Sequence, residues 1–187
     1  MPPKAKITKQ MIVDAGFELA REGGMEHVNA RAVAEKLGCS TQPVMYHFQT
    51  IEELKRAVYQ KADAYHTAYL MDTQGAEPML QMGLSYVRFA QQEKQLFRLL
   101  FQSGGFSGQN LNDLINAAEL RPLLAILEEA ASVGEDQAKT IFRLLFLLVH
   151  GYAGMLANNA MEYDEHAAAE DLTRAFEGIC HSIKEDS

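Results

Sequence analysis

The sequence predicts an all-α protein, and two observations lead to that prediction. Apolar side chains recur at three- and four-residue steps along most of the chain, which is the period of an amphipathic helix. No stretch shows the two-residue alternation that is typical of a half-buried strand. With 187 residues, of which 48% are hydrophobic, the chain is long enough to bury a sizeable core. We therefore expect one helical domain, or a small helical domain fused to a larger one.

Helix start and stop signals place the individual helices. Ser, Thr and Asn often cap helix N-termini, and Gly often ends helices. The capping residues are Thr8, Asn29, Ser40 and Thr50, the last in a capping box with Glu53, and glycines at 23–24 and 38 end the first two helices. The expected helices are 8–22, 30–37, 41–47, 50–71, 78–93, 95–103, 111–132 with an interruption near Pro122, 135–159 and 166–185.

Residues 29–48 have the form of a helix-turn-helix, in which two short helices meet at a turn containing Gly38. Pro43 is tolerated as the third residue of the second helix, where a backbone N–H has no intrahelical partner. The polar side chains of that helix that can reach base edges or phosphates are Thr41, Gln42, Tyr46 and His47. A simple helical hairpin in a bundle fits the same pattern, so the residues alone leave both interpretations open.

Charge is distributed unevenly along the chain. Residues 1–62 carry nine Lys or Arg and seven Asp or Glu, whereas residues 63–187 carry eight and eighteen, and the whole chain has a net charge of −8. An acidic surface repels a phosphate backbone. Any contact with nucleic acid should therefore be confined to the N-terminal part, which also contains Lys4, Lys6 and Lys9.

The last two helices are unusually apolar. Apolar side chains cover nearly the whole circumference of residues 141–156, and a single apolar stripe follows residues 168–183. Because a monomer of this size has little reason to end on such a pair, we interpret it as a homodimer interface, with a purely internal core as the alternative. The interface residues expected are Ile141, Leu145, Leu148, Tyr152, Leu172, Phe176 and Ile179.

The N-terminal pattern resembles the TetR family of transcriptional regulators over residues 8–55. No single residue is specific to that family, but the ordered set with its spacing is. The matching residues are Ile12, Ala15, Gly24, Asn29, Val33-Ala34, Gly38-Cys39-Ser40, Phe48 and Glu52-Glu53-Leu54.

This resemblance implies a three-helix DNA-binding domain, residues 6–66, joined through its long fourth helix to a helical ligand-binding and dimerisation domain, residues 67–187. The implied protein is a homodimeric repressor that binds double-stranded DNA at a palindromic operator and is released by a small apolar or aromatic effector. The implied DNA-binding residues are Asn29, Arg31, Ser40, Thr41, Gln42, Pro43, Tyr46, His47, Thr50 and Lys55.

The sequence departs from the family pattern at two positions. The family commonly has tyrosine three residues before the closing phenylalanine, where this chain has Met45 followed by Tyr46. It often has lysine at the position of Ile51, where that phosphate contact is therefore absent. The basic residues that could compensate are Lys36, Lys55, Arg56 and the N-terminal lysines, although each could equally be an ordinary solvated charge.

A small-molecule pocket is expected in the body of the chain, between residues 60 and 160. Aromatic and thioether side chains with a few polar groups are typical of apolar ligand sites, although core packing explains each residue equally well. The candidates are Tyr65, Tyr69, Met82, Tyr86, Phe89, Phe101, His150 and Met155.

Other classes of function find little support. Residues 162–166 concentrate carboxylates and a histidine in an expected loop, and the glycine-rich stretch 104–108 lacks the lysine of a phosphate loop. We therefore expect no enzyme, no metal and no cofactor. Two cysteines without metal spacing, no signal peptide and no apolar run longer than Leu144 to Val149 favour the cytoplasm over export or a membrane. The alternative function is a helical interaction module that has lost sequence-specific DNA binding.

Overall fold

The computed structural model describes residues 7–72, 77–103, 110–159 and 161–185. These residues form α-helices and two short 3-10 turns, at Met25–His27 and Ala118–Leu120, and they contain no strand, which confirms the predicted all-α fold. The helices are α1 (Lys9–Gly23), α2 (Ala30–Lys36), α3 (Thr41–His47), α4 (Ile51–Met71), α5 (Pro78–Gln92), α6 (Lys94–Phe101), α7 (Leu111–Ile115), α8 (Arg121–Ala131), α9 (Glu135–Asn158) and α10 (Glu165–Glu185). The glycine-rich stretch 104–108 lies outside the described residues.

Three of the four predicted caps form, one of them in an altered way. Oγ1 of Thr8 accepts the Met11 N–H at 3.2 Å, and Oδ1 of Asn29 accepts the Ala32 N–H at 2.9 Å. Ser40 precedes α3 but makes no side-chain capping bond, so that expectation was wrong.

At the start of α4 the expected capping box is only half formed. Oγ1 of Thr50 accepts the Glu53 N–H at 3.2 Å. The Glu53 carboxylate, in return, accepts the N–H of Gln49 at 2.9 Å instead of that of Thr50. The second hydrogen bond of the capping box is thus made to the residue before Thr50 and not to Thr50 itself.

The chain divides into two compact units. The first unit contains Met1–Ala68 and Glu93–Gly105, and the second contains Tyr69–Gln92 and Phe106–Ser187. The helix α6 thus belongs with the N-terminal helices, although it follows α5 of the second unit in sequence. The domain boundary predicted between residues 66 and 67 did not account for the placement of α6 in the first unit. The boundary itself stays a prediction.

In the first unit α1 packs against α2, α3 and α6. Its buried face includes Ile12 and Phe17, which are 0% and 4% exposed. Gly16 lies on the same helix, and a Cβ atom at this position would be 2.7 Å from Cγ2 of Val58 on α4. Glycine therefore permits the close approach of α1 and α4.

An ion pair fixes α6 to α1 within this unit. Glu93, directly before α6, is buried, and its carboxylate accepts hydrogen bonds from Nε of Arg21 at 2.8 Å and also from Nη2 of Arg21. The Tyr65 hydroxyl donates to the same carboxylate at 3.1 Å. One buried carboxylate thus joins α1, α4 and the start of α6.

In the second unit α9 is the central helix and packs against α5, α8 and α10. A core cluster forms where α8 meets α9, and its buried residues are Leu124, Leu127, Ala131, Ala138 and Ile141. Leu172 of α10 is also buried, and its Cδ1 atom would lie 3.3 Å from a Cβ at Gly83 of α5. Ile141 and Leu172 therefore belong to the chain's own core, which corrects their assignment to a dimer interface.

The helix α9 keeps part of its apolar surface outside this core. By length and composition alone α9 could cross a membrane, because an 18-residue window of it has a mean hydropathy of 1.6. No unbroken run of apolar residues in α9 is 18 residues long. The core helix of a soluble protein meets the same criteria, so they decide nothing by themselves. Its exposed large apolar residues are Leu144, Leu147, Leu148 and Met155.

Candidate nucleic-acid interface

The predicted helix-turn-helix is formed by α2 and α3. Gly38 in the turn has a φ of 63°, in the left-handed region that favours glycine, and the Cys39 N–H donates to the Ala34 carbonyl at 2.9 Å. Val44 of α3 and Phe48, the residue directly after α3, are 1% and 3% exposed. Because these two apolar residues fix one side of α3 to the core, the opposite side is turned outward.

The outward side of α3 carries four exposed residues, Thr41, Gln42, Met45 and Tyr46. At 100° per residue Gln42 and Tyr46 lie opposite the buried Val44, Met45 lies next to Gln42, and Thr41 lies nearest to the buried side. Tyr46 is 82% exposed and Met45 is 44% exposed. Three of the four side chains can form hydrogen bonds, as direct contact with base edges and phosphates requires.

Two of the predicted DNA-binding residues have structural partners. Nε2 of His47 lies 3.1 Å from the carbonyl of Ile7, so His47 connects the segment just before α1 to the end of α3. The Asn29 side chain caps α2 and also donates to the His27 carbonyl at 3.3 Å. These bonds favour structural, positioning roles for His47 and Asn29 over direct contact with DNA. Residue type alone did not distinguish the two roles.

The other predicted DNA-binding residues remain at or near the surface. Arg31, Ser40 and Thr50 are exposed, whereas Pro43 and Lys55 are half-buried. Nζ of Lys36, a predicted compensating charge, lies 2.8 Å from the Glu22 carboxylate. That ion pair reduces the contribution of Lys36 to a positive surface.

A recess of about 330 Å³ lies between α1, α3 and α4 on this unit. Its charged lining consists of Lys9, Arg56 and Glu53, and His47 and Phe48 also line it. Nζ of Lys9 lies 5.1 Å from the centroid of the Phe48 ring, within the range of a cation–π contact. With two basic residues and one acidic residue, the recess is weakly basic. It was not predicted from the sequence, because its lining residues are far apart in the chain.

The predicted ligand-binding residues fall into both units. In the first unit, Tyr65 donates to Glu93, and Phe101 makes an edge contact with the His66 ring at 5.1 Å. In the second unit, the Tyr69 hydroxyl donates to Oε1 of Gln92 at 2.9 Å, and Phe89 is fully buried. Tyr65 and Phe101 therefore belong to a different unit from the other candidates. Phe89 is a core residue of the second unit.

The second unit brings Tyr86 of α5 and His150 of α9 together. The Tyr86 hydroxyl lies 2.8 Å from Nδ1 of His150, and the Phe146 ring lies 5.4 Å from the His150 ring. Phe146 was not among the predicted residues, although its spacing of four from His150 on one helix would have indicated it. Met82 is half-buried and Met155 is exposed.

Burial sets the protonation of this pair. It raises the pKa of Tyr86 and lowers the pKa of His150 from their ordinary values. Near neutral pH the hydroxyl therefore keeps its proton and the imidazole is neutral, so the contact is a hydrogen bond between two uncharged groups.

The acidic stretch 162–166 serves as a helix start. Oδ1 of Asp164 accepts the N–H groups of His166 and Ala167 at 3.0 and 3.1 Å, which is an N-cap arrangement for α10. Within the described ranges no three His, Cys, Asp or Glu side chains come together as a metal site. A second recess, of about 380 Å³, follows the exposed side of α10.

The fold and this face together define the class of protein: a helical protein that presents a helix-turn-helix for DNA binding. Residues 12–58 match the family described as bacterial regulatory proteins, tetR family, and residues 79–179 match the tetracyclin repressor-like C-terminal domain. Since the second match alone spans more than half of the chain, the chain belongs to the TetR family of transcriptional regulators. Members of this family are non-enzymatic DNA-binding proteins.

A curated relative supports the same assignment. The chain is similar to the uncharacterized HTH-type transcriptional regulator YobS of Bacillus subtilis (strain 168), with 22% identity over 174 residues. The aligned region covers 88% of this chain and 87% of the relative. The resemblance predicted from the N-terminal residues is thus confirmed over nearly the full length.

Proposed function

We propose that this regulator is a repressor that binds a palindromic operator as a homodimer. The observation that carries the proposal is the exposed face of α3, where Thr41, Gln42 and Tyr46 stand free of the core. A glutamine on a recognition helix can form two hydrogen bonds with adenine, and a tyrosine hydroxyl can donate to a phosphate. The reading domain is assigned to residues 6–66 and the regulatory domain to residues 67–187, in a cytoplasmic protein.

The apolar surface of α9 supports dimer formation. Leu144, Leu147, Leu148 and Met155 are each between 41% and 51% exposed. At 100° per residue they fall within about 100° of one another, so they form one stripe. The exposed Gly151 lies on the same stripe, where its lack of a side chain allows a partner helix to approach closely. This stripe matches an interface between two copies. Phe176 and Ile179 of α10, predicted for the same interface, are half-buried against the chain's own core cluster.

A small apolar or aromatic effector is the proposed signal. Support comes from the rings of Tyr86, Phe146 and His150, which provide apolar contact surface beside a hydrogen-bonding pair. Recognition helices must lie about 34–36 Å apart to enter successive major grooves. An effector that binds better to a conformation with another separation therefore shifts the population away from the DNA-bound state.

Selection of duplexes from a random DNA pool with the purified chain tests the proposed function. Enrichment of a palindrome supports the regulator, and a parallel selection with Gln42→Ala serves as a control because that variant should enrich it less. If no sequence is enriched, the chain is instead a helical interaction module that has lost sequence-specific DNA binding. Adding candidate effectors to the enriched complex then identifies those that release it.

A further inference from the structure

Met45 is an apolar residue on an otherwise polar reading face. It follows Thr41 by four residues and Gln42 by three, which places the three side chains on one side of α3. Met45 is 44% exposed although its neighbours Val44 and Phe48 are buried. Its thioether is at most a weak acceptor and cannot donate to a phosphate, so Met45 cannot make the phosphate contact available to a tyrosine.

The chemistry of the major groove limits what such a side chain can contact favourably. Base edges there present hydrogen-bond donors and acceptors, with one apolar group among them, the C5-methyl of thymine. A thioether side chain placed against donors or acceptors removes their water without replacing the hydrogen bonds, which is unfavourable. Placed against a methyl group, it buries apolar surface on both sides, which is favourable.

We propose that Met45 is a specificity-determining residue that contacts the C5-methyl of one thymine in each operator half-site. The operator therefore carries a T·A pair at that position, beside the bases read by Thr41 and Gln42. This inference rests on the proposed function, because it requires α3 to enter the major groove of a specific duplex. It also separates the roles of two neighbouring residues: Met45 reads a base and Tyr46 is left for the backbone.

Replacement of thymine by deoxyuracil in the enriched duplex tests the inference directly. Deoxyuracil lacks only the methyl group and keeps the base pair. Each thymine is replaced singly, in one half-site and then in both, and the Kd is measured at one fixed salt concentration. We expect one thymine per half-site whose replacement weakens binding about fourfold, the effect of losing one buried methyl contact. Replacement in both half-sites should weaken binding by about the square of that factor.

Variants at position 45 assign the effect to this side chain. Met45→Ala should bind the thymine and uracil duplexes equally well, whereas Met45→Leu, which keeps an apolar side chain, should still distinguish them. Met161→Ala is the matched control, because Met161 is 45% exposed and lies in the second unit. This variant should distinguish the thymine and uracil duplexes as the unchanged chain does. Both alanine variants remove exposed side chains, and their thermal unfolding should match that of the parent.

Two results overturn the inference while leaving the proposed function intact. The first is an enriched duplex in which no thymine depends on its methyl group. The second is a methyl dependence that persists unchanged in Met45→Ala, which would assign it to another residue such as Thr41. If no duplex is enriched at all, the proposed function fails, and the assignment of Met45 fails with it.

Discussion

The guanidinium of Arg21 and the carboxylate of Glu93 form a paired hydrogen-bonded contact between residues 72 positions apart in the chain. Glu93 is 7% exposed, whereas the Arg21 side chain is 41% exposed. Their contact raises the pKa of Arg21, chiefly because the Glu93 carboxylate accepts its hydrogen bonds. It connects the first helix of the DNA-binding part to the start of α6, where the chain returns from the second unit.

We predict that Arg21→Met lowers the free energy of unfolding by about 2–3 kcal/mol. The variant removes the charged partner of the buried Glu93 carboxylate, and of the two donors described above Tyr65 remains. The partial exposure of Arg21 keeps this figure below that of a fully buried pair. Lys36→Met breaks the more exposed pair with Glu22 and should change the same free energy by less than about 1 kcal/mol. Urea unfolding of the three proteins checks this, and equal losses in both variants would contradict it.

A second prediction concerns the contact of Gly16 with Val58. Gly16→Ala places a Cβ atom 2.7 Å from Cγ2 of Val58 and should lower the free energy of unfolding by about 1–3 kcal/mol through overpacking. Gly178→Ala on α10 is the control, since no atom lies within 4 Å of its Cβ position, and higher helix propensity should stabilise it by up to about 1 kcal/mol. Thermal unfolding should move in opposite directions for the two variants, and a stabilised Gly16→Ala would refute the close approach of α1 and α4.

Buried His66 predicts a dependence of stability on pH. Burial lowers the pKa of His66 from 6.5 to about 4. Because the unfolded chain binds this proton more readily, the stability is fully present above pH 6.5 and is lost as the pH falls towards 4. The loss attributable to His66 should be about 3 kcal/mol over that range.

The variant His66→Leu isolates this contribution, because the carboxylates titrate in both proteins. Urea unfolding at several pH values between 7 and 4 should show that the variant loses less stability on acidification than the parent does. Parallel pH profiles for the two proteins would contradict the low pKa of His66.

The exposed stripe of α9 predicts the oligomeric state. The unchanged chain should elute at twice its chain mass at micromolar concentration, and Leu148→Glu should elute as a monomer because a charge enters the apolar contact. Met71→Glu also removes an exposed apolar side chain, but outside α9 and α10, and it should remain dimeric. Size exclusion with light scattering decides this, and a monomeric parent chain would contradict the interface.

The sequence predicted features that depend on near neighbours in the chain. Thr8 and Asn29 act as caps because their partners lie three residues away. Apolar periodicity located most helices to within a few residues, but the interrupted helix expected over 111–132 is two separate helices, α7 and α8. The ordered N-terminal motif identified the family because helix lengths and turns are local properties.

Long-range contacts could not be predicted in the same way. The pairing of Arg21 with Glu93, the bond from His47 to Ile7 and the approach of Gly16 to Val58 depend on how separate helices pack. For the same reason Ile141 could not be distinguished from Leu148. Both are apolar residues of one helix, yet Ile141 faces α8 and Leu148 is exposed.

We propose that the exposed face of α3 reads DNA, and titration of the enriched duplex tests this role most directly. Gln42 and Tyr46 are exposed, so Gln42→Ala and Tyr46→Ala should melt at the temperature of the unchanged chain. Both should bind the duplex more weakly at matched salt, with Gln42→Ala losing about 1–3 kcal/mol if the glutamine contacts adenine. Binding by either variant as tight as that of the unchanged chain would contradict the contact assigned to that residue.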